Sequence, residues 1–507
     1  MANVQLFTIE TVKIISLSTV SYFVYIYLLK PVLDFVYSII YYHGFNYYPK
    51  SLLLGHFRQI MPNFPFTDNM ENATRNLYEA IDKNIKHNQD GSLSVFWLSV
   101  IPVVLISDHE AVRIVNNKTN LKKPYLYKLI DFGTGLLTSK PDIWKVRRKL
   151  IEPFFATKKL KGFVKVMNEE VTSFTEQLNG EIGKPVNLES QIHYSTLNII
   201  LKVVTSLPLK DSFLVKKAAV EIINEKTEYV IKRGANPFYW FDWIFRFFQF
   251  GRTYFKNKED GEKLLSYALH RRKQLSLSNE PEDQDLIHLL ECKVDEKGVF
   301  DEFITMIGAG HDTVAVALRW ILFNLGNHLD KQERVYQELV DLFPDDTPVD
   351  DLDRINQCQY LEQFIKESLR LNPSVHGTAK VLEEDVTIRD KKLLKGSYVW
   401  TIISSTHRDP SVYPDPDKFD PERWTPENAS KIPQGAFIPF GYGPRSCIGS
   451  RYAMAKLKIY TIQIVRKFSL KSTRKTESIP VKFEVTLKPV LPLEIILTPR
   501  NGNNNQS

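Results

Sequence analysis

The stretch Phe440-Gly441-Tyr442-Gly443-Pro444-Arg445-Ser446-Cys447-Ile448-Gly449 decides how the rest of the chain is read. Gly441 and Gly443, two residues apart, open backbone angles closed to other residues, so the loop can turn tightly and hold the sulfur of Cys447 at its tip. Backbone N–H groups can then face that sulfur, and a helix starting near Gly449 turns its positive end towards it. Together they favour an ionised, tuned thiolate. Arg445 adds a fixed cation suited to a carboxylate nearby. A lone cysteine in a glycine-rich turn is ordinarily a small buried hydrophobe. The spacing here is too specific for that reading.

The other cysteines, Cys292 and Cys358, make an odd total of 3 without a CxxC pair, so neither a disulfide framework nor a zinc site is indicated. The 507 residues are 43% hydrophobic, 25% charged and 12% aromatic, which supports a large buried core and excludes disorder, collagen-like repeats and a polytopic membrane protein. The 66 basic and 59 acidic residues leave +7, too diffuse a surplus to indicate nucleic acid.

At the N-terminus, Ile14 to Leu29 is uncharged and flanked by Lys13 and Lys30, whose side chains can snorkel to complete a span. No basic n-region or cleavage site marks it for removal. A second apolar stretch, Phe35 to Tyr42, follows Pro31 and Asp34 and suits the membrane interface. The expectation is one anchor and linker over 1–48, a catalytic body over 49–500 and a disordered polar tail over 501–507. A buried core helix is the alternative for the anchor. Within the body, apolar spacings of three and four predict helices at Asp142–Leu150, Ser190–Thr205, Asp301–His328 and Asp330–Leu342. Strand-like runs fall at Val95–Ile106, Val386–Ile388, Tyr398–Ile403 and Lys482–Ile496. The fold class is therefore mainly α with small β-sheets. Between Phe238 and Tyr254, aromatic residues crowd around Asp242, Arg246 and Arg252, a composition that suits either core packing or a lipid interface.

The cysteine loop matches Phe-x-x-Gly-x-Arg-x-Cys-x-Gly, and on it the chain resembles the cytochrome P-450 superfamily. Three further motifs agree. Trp144-Lys145-Val146-Arg147-Arg148 is similar to the family's Trp-x-x-x-Arg helix; Glu367-Ser368-Leu369-Arg370 to its Glu-x-x-Arg helix; and Phe419-Asp420-Pro421-Glu422-Arg423-Trp424 to the segment whose arginine joins that pair. The resemblance covers about Pro49 to Arg500 and implies the P-450 fold as a single large catalytic domain carrying haem b, iron protoporphyrin IX, on an axial Cys447 thiolate. It implies that Trp144, Arg148, Arg445 and, where the family usually has arginine, Lys380 meet the haem carboxylates. Phe440, Gly441 and Gly449 would border the same group. Glu367, Arg370 and Arg423 would form a desolvated network holding the Cys447 loop. Alone, Glu367 and Arg370 would be an i,i+3 surface pair worth about 0.2–0.5 kcal/mol.

On the distal side stands Gly308-Ala309-Gly310-His311-Asp312-Thr313. Small residues, Ala309 and Gly310 among them, let a flat macrocycle approach a helix backbone. A threonine hydroxyl can bond a preceding carbonyl and open the helical ladder locally. The resemblance makes Asp312 and Thr313 the catalytic pair that delivers protons to bound oxygen; taken alone, the segment would be a small-residue packing seam. Gly135-Leu136-Leu137-Thr138-Ser139, Asn236-Pro237 and Gly310-His311-Asp312-Thr313 resemble family four, known chiefly for fatty-acid omega-hydroxylases. Ala309 stands where many of that family carry a haem-esterifying glutamate, so a non-covalent haem is expected. The family's proline-rich hinge is reduced to Pro49.

The function implied is a membrane-bound monooxygenase that places one oxygen atom of O2 into an apolar substrate, a fatty acid or related lipid. No dinucleotide or flavin signature accompanies it. The resemblance therefore implies electrons from NADPH through a flavoprotein reductase, with cytochrome b5 as a further donor. Lys145, Arg147, Lys149, Arg451, Lys456 and Lys458 offer cations for an acidic partner. The expected place is the endoplasmic reticulum membrane, with the catalytic domain facing the cytosol. The alternatives are a reductase-independent haem-thiolate isomerase or dehydratase, and a non-enzymatic haem- or lipid-binding membrane protein.

Overall fold

The computed structural model describes residues 30–42, 70–86, 93–98, 101–207, 229–230, 233–234, 237–275, 285–344 and 347–500. The expected span Ile14–Leu29 and the tail 501–507 lie outside them. In chain order the main helices are α1 (Lys30–Tyr41), α2 (Met70–Lys86), α3 (His109–Val115), α4 (Pro141–Ile151), α5 (Thr157–Gln177), α6 (Glu189–Thr205), α7 (Gln249–Leu275), α8 (Leu286–Glu291), α9 (Glu296–Asn327), α10 (Leu329–Leu342), α11 (Gln359–Leu371) and α12 (Ser450–Lys467). The strands are β1 (Leu93–Leu98), β2 (Ile101–Ile106), β3 (Pro185–Asn187), β4 (Gly377–Val381), β5 (Val386–Ile388), β6 (Lys391–Leu393), β7 (Tyr398–Ile402), β8 (Phe468–Ser472), β9 (Val481–Phe483), β10 (Leu487–Pro489) and β11 (Glu494–Pro499). The mainly helical class expected from the sequence is what forms.

Helix α9 organises the body. It starts where Asp295 accepts a hydrogen bond from Gly298 N–H and places Glu296 in the first turn, both favourable at a helix N-terminus. Its apolar residues lie on every side, because α6, α8, α11, α12 and β8 all pack on it. Trp320, Ile321, Phe323 and Leu325 are almost fully buried there, each contributing about 1.5–3 kcal/mol of transfer free energy.

The four-stranded sheet has the order β1-β2-β7-β4, with β2 and β7 parallel and the other pairs antiparallel. Val95 and Trp97 join the cluster containing Val112 of α3, whereas Phe96 joins Leu77 and Ile81 of α2 on the opposite face. Both faces are covered, so the run Val95–Ile106 shows no apolar–polar alternation. It folds as a hairpin rather than as one strand. The C-terminal run Lys482–Ile496 likewise divides, giving the β9–β10 pair and β11, which lies between β3 and β8.

Candidate active site

In the cysteine loop, Gly441 and Gly443 take φ of +74° and +78°. A Cβ on Gly443 would sit 1.9 Å from the Asn116 carbonyl oxygen, so that turn admits only glycine. Cys447 N–H donates to the Phe440 carbonyl at 2.8 Å, closing the loop immediately before α12. The Cys447 sulfur is exposed, but to an apolar cavity of about 510 Å³ that it lines. Enclosure by protein atoms desolvates the thiol and pushes its pKa up, while the Gly449 N–H and Arg148 pull it down. The Gly449 N–H and Arg148 favour the ionised form, and a cation bound to the sulfur would add to them against desolvation.

The structure brings most of the expected site residues to this one cavity. Phe440, Gly441, Arg445 and Cys447 line it from the loop, Trp144 and Arg148 from α4, Lys380 from β4, and Ala309, Asp312 and Thr313 from α9. Two do not reach it. Gly310 packs against Ile200 of α6, where a Cβ would meet that side chain at 2.8 Å, and Gly449 lies behind the sulfur. Helix α9 runs unbroken through the segment. Thr313 Oγ1 donates to the Ala309 carbonyl at 2.8 Å, and the Ser374 hydroxyl donates to the Thr313 carbonyl at 2.7 Å.

One rim of the cavity is cationic. Arg445 donates to the Ser139 carbonyl at 2.8 Å and lies 4.8 Å from the centre of the Trp144 ring, with its Nε buried and without a hydrogen bond. Lys380 Nζ is buried without a hydrogen-bond partner. Lys123, a residue the sequence reading did not single out, lines the same rim. Desolvation lowers Lys380 to about 7, with Lys123 and Arg445 pushing the same way; it lowers Lys123 to about 7 and Arg445 to about 10. Buried cations that depress one another are under-compensated, and a ligand with two carboxylates at one edge and a flat apolar body would supply what they lack. A haem fits this donor set. Lys380 offers a single point charge where a guanidinium would make a fork.

The sign of the resulting pH dependence is fixed. Between about pH 7 and the ordinary lysine range near 10.5, Lys380 and Lys123 are neutral when folded but protonated when unfolded. The unfolded state binds more protons there, so the haem-free chain gains stability as pH rises across that window. Lys380→Met should flatten part of the slope in urea titrations at pH 7 and 9. An unchanged slope would mean that Lys380 keeps its ordinary pKa.

Behind the loop, Glu367 and Arg370 form a fully buried bidentate pair at 2.9 and 2.8 Å. Arg423 Nε lies 3.5 Å from the same carboxylate, which also accepts the Trp424 indole N–H at 3.0 Å and the Asp420 N–H at 2.8 Å. Arg370 donates to the His407 carbonyl at 2.9 Å, and His407 Nε2 accepts the Ile438 N–H at 2.8 Å. Ile438 in turn accepts Gly441 N–H, so the network reaches the loop through His407. Neither His407 nor Trp424 had a role in the sequence reading; no local spacing marks a residue whose partners lie 31 and 57 positions away.

Three of the cations expected to meet a partner are buried and already used. Arg147 bonds Glu302 and the Thr134 carbonyl, Lys456 the Thr196 carbonyl, and Lys458 Glu362. Lys145, Lys149 and Arg451 remain exposed.

A thiol facing an apolar cavity, with unsatisfied cations along one rim and a helix carrying Asp312 and Thr313 along its wall, defines a haem-thiolate protein. Comparison narrows the class. The cytochrome P450 family model matches residues 59–496. Cytochrome P450 4c21 of Blattella germanica is 30% identical over 433 residues, 81% of this chain and 86% of its own. Cytochrome P450 4V2 of Rattus norvegicus is 29% identical over 78% of this chain and 79% of its own, and cytochrome P450 4F8 of Homo sapiens 30% over 77% and 81%. The crystal structure of the cytochrome P450DA haem domain superposes with a TM-score of 0.76 at 20% identity, covering 90% of this chain and 98% of that one, which establishes the shared fold. The chain belongs to the cytochrome P450 family, with relatives of family four, and is an oxygen-incorporating haem-thiolate oxidoreductase.

Proposed function

We propose that this protein is a membrane-attached monooxygenase that places one oxygen atom of O2 into a lipid-like substrate, a fatty acid being the leading class. NADPH would supply the electrons through a flavoprotein reductase. The observation that carries the reading is the Cys447 sulfur facing a cavity whose walls, Leu77, Phe96, Leu137, Val375 and Phe483 among them, are overwhelmingly apolar. When bound, haem b on the Cys447 thiolate supplies the oxygen chemistry.

The chain's own residues do the rest. Lys380, Lys123, Arg445 and Arg148, with the Trp144 ring, hold the carboxylate edge; Phe440, Gly441 and Ala309 border the flat body. Away from that rim the apolar wall excludes water and packs along the hydrocarbon of a long-chain substrate. Asp312 and the Thr313 hydroxyl hold and move protons at the cavity wall. Glu367, Arg370 and Arg423 keep the loop in place. The proposed division is an anchor and linker over 1–48, a catalytic body over 49–500 and a tail over 501–507.

Membrane attachment at the endoplasmic reticulum, with the body on the cytosolic side, draws support from two surfaces. Leu33, Val36, Tyr37 and Ile40 are exposed at spacings that place them on one side of α1, Ile40 at 70%. The helix is tied to the body by Tyr41, bonded to the Lys392 carbonyl, and by Tyr42, 2.9 Å from Ser397 Oγ. In the aromatic stretch, Tyr239, Phe245 and Tyr254 are buried while Trp243 and Phe247 are 66% and 71% exposed, so both readings of that stretch apply to different residues. Among the described residues no helix is long and apolar enough to cross a membrane. Lys145, Lys149 and Arg451 are the cations left for an acidic reductase or cytochrome b5.

The reading is tested with the full chain, reductase and haem. Fatty acids of graded length should produce a substrate-type shift of the haem spectrum and oxygenated product that depends on NADPH; no turnover with NADPH across lipids, sterols and small hydrocarbons would overturn it. Thr313→Ala should keep haem and substrate binding while product per NADPH falls roughly tenfold and peroxide rises, because the bridging hydroxyl is gone. Unchanged coupling would place proton delivery elsewhere.

A further inference from the structure

Where α6 crosses α9, a buried polar cluster meets the site described above at Asp312. His193 of α6 is fully buried, and neither ring nitrogen has a hydrogen bond. Its Nδ1 lies 3.8 Å from Asp312 Oδ1, an atom that also lacks a hydrogen bond, while Asp312 Oδ2 accepts the Thr486 hydroxyl at 2.8 Å. The His311 ring stands edge-on to His193 at 5.9 Å between centres, bonded through Nδ1 to the Ile307 carbonyl at 2.8 Å. Arg319, paired with Glu189 at 2.8 Å, and Lys488, paired with Glu484 at 2.9 Å, complete the charged surroundings.

An unsatisfied buried donor or acceptor carries an uncompensated desolvation cost. A histidine serving only as packing would be replaced at lower cost by an apolar ring. The cost is recovered when the His193 ring and Asp312 close by roughly 1 Å into hydrogen-bond contact. Asp312 needs such a neighbour. It is 4% exposed and lines the cavity beside Thr313, so a substrate that fills the cavity displaces water from that side. A carboxyl that gives protons to the cavity must then be recharged from the core side. Glu189, one helical turn before His193 on α6, is 37% exposed and marks where that side meets solvent.

We infer that His193 is a positioning residue that acts through Asp312, relaying protons to it from the α6 surface. The inference rests on the reading of Asp312 and Thr313 given above. A solvent acid protonates one ring nitrogen as the N–H on the other passes its proton to Asp312 Oδ1. The acid's bond to hydrogen and one N–H bond break, one N–H and one O–H bond form, and no electrons change hands. The ring is left in its other tautomer and turns back. Burial lowers the imidazole to about 3, with Asp312 pulling it up and His311, Arg319 and Lys488 pushing it down. It therefore rests neutral. Against the upward pull of its burial, Lys488 holds Asp312 below the usual carboxylate range, so Asp312 keeps a proton it receives only briefly before passing it on.

The test uses the full-length holoenzyme with reductase. His193→Phe keeps haem content and substrate binding; product per oxygen consumed falls roughly tenfold, and the solvent isotope effect on product formation rises. His193→Gln donates a hydrogen bond but cannot pass a proton through, so it shows the same loss and carries the test if the phenylalanine variant misfolds. Full coupling in His193→Phe, or recovery in His193→Gln, overturns the relay. Asp312→Asn separates the two readings: lost coupling there with intact coupling in His193→Phe sinks the relay alone, whereas intact coupling in Asp312→Asn sinks the assignment beneath it. A second readout needs no turnover. In the 15N-histidine-labelled chain, the His193 signal, identified by its loss in the phenylalanine variant, should change its tautomer balance in Asp312→Asn; an unchanged balance overturns the coupling of the pair.

Discussion

Cys447→Ser should leave a folded chain from which monooxygenase activity and the haem-thiolate spectrum have both gone. The loop's shape rests on positive φ at Gly441 and Gly443 and on the Cys447 N–H to Phe440 carbonyl bond, none of which involves the sulfur. Serine occupies nearly the same volume, so the cost to stability should stay within about 1 kcal/mol. Its hydroxyl, though, does not ionise near neutral pH and lacks the electron donation of a thiolate. Circular dichroism and the thermal midpoint should stay close to those of the parent, while the ferrous carbon monoxide complex loses its red-shifted band. Retention of that band would mean that another side chain holds the iron.

The second large effect belongs to the buried carboxylate behind the loop. Glu367→Gln removes the anion that Arg370 grips at two points and that Arg423 and the Trp424 indole also approach. Arg370 is then a fully buried, uncompensated guanidinium, and breaking such a pair costs about 3–5 kcal/mol. A substantial share of a domain's net stability is lost, so the variant should accumulate without bound haem and unfold at much lower denaturant. Lys161 and Asp353 make a shorter contact, 2.6 Å, but with both side chains more than half exposed. Lys161→Met should therefore leave the denaturant midpoint close to that of the parent. Equal midpoint shifts in the two variants would show that desolvation does not set the strength of the Glu367 network.

Several elements were legible because their signal is local. The helix over Asp301–His328 was found from spacing, although its first turn, Glu296 to Phe300, was missed; Asp295 and Glu296 at the start are the cap signal that would have placed it. The strand run Val95–Ile106 was recognised but not its hairpin, since burial on both faces erases the alternation that separates one strand from two. Arg147, Lys456 and Lys458 read as solvated cations because charge predicts exposure until a buried partner is seen. Glu302, the Thr196 carbonyl and Glu362 are such partners, and all are distant in the chain.

The amino-acid order by itself determined the conformation of the cysteine loop, the helical class and the family, because glycine freedom, apolar period and motif spacing act within a few residues of one another. Tertiary structure alone decided which charges lack a counter-ion and which polar atoms lack a hydrogen bond. Lys123, Lys380 and Arg445 share one rim, and His193 faces Asp312, only because strands and helices far apart in sequence are packed side by side in a medium too dry to screen them.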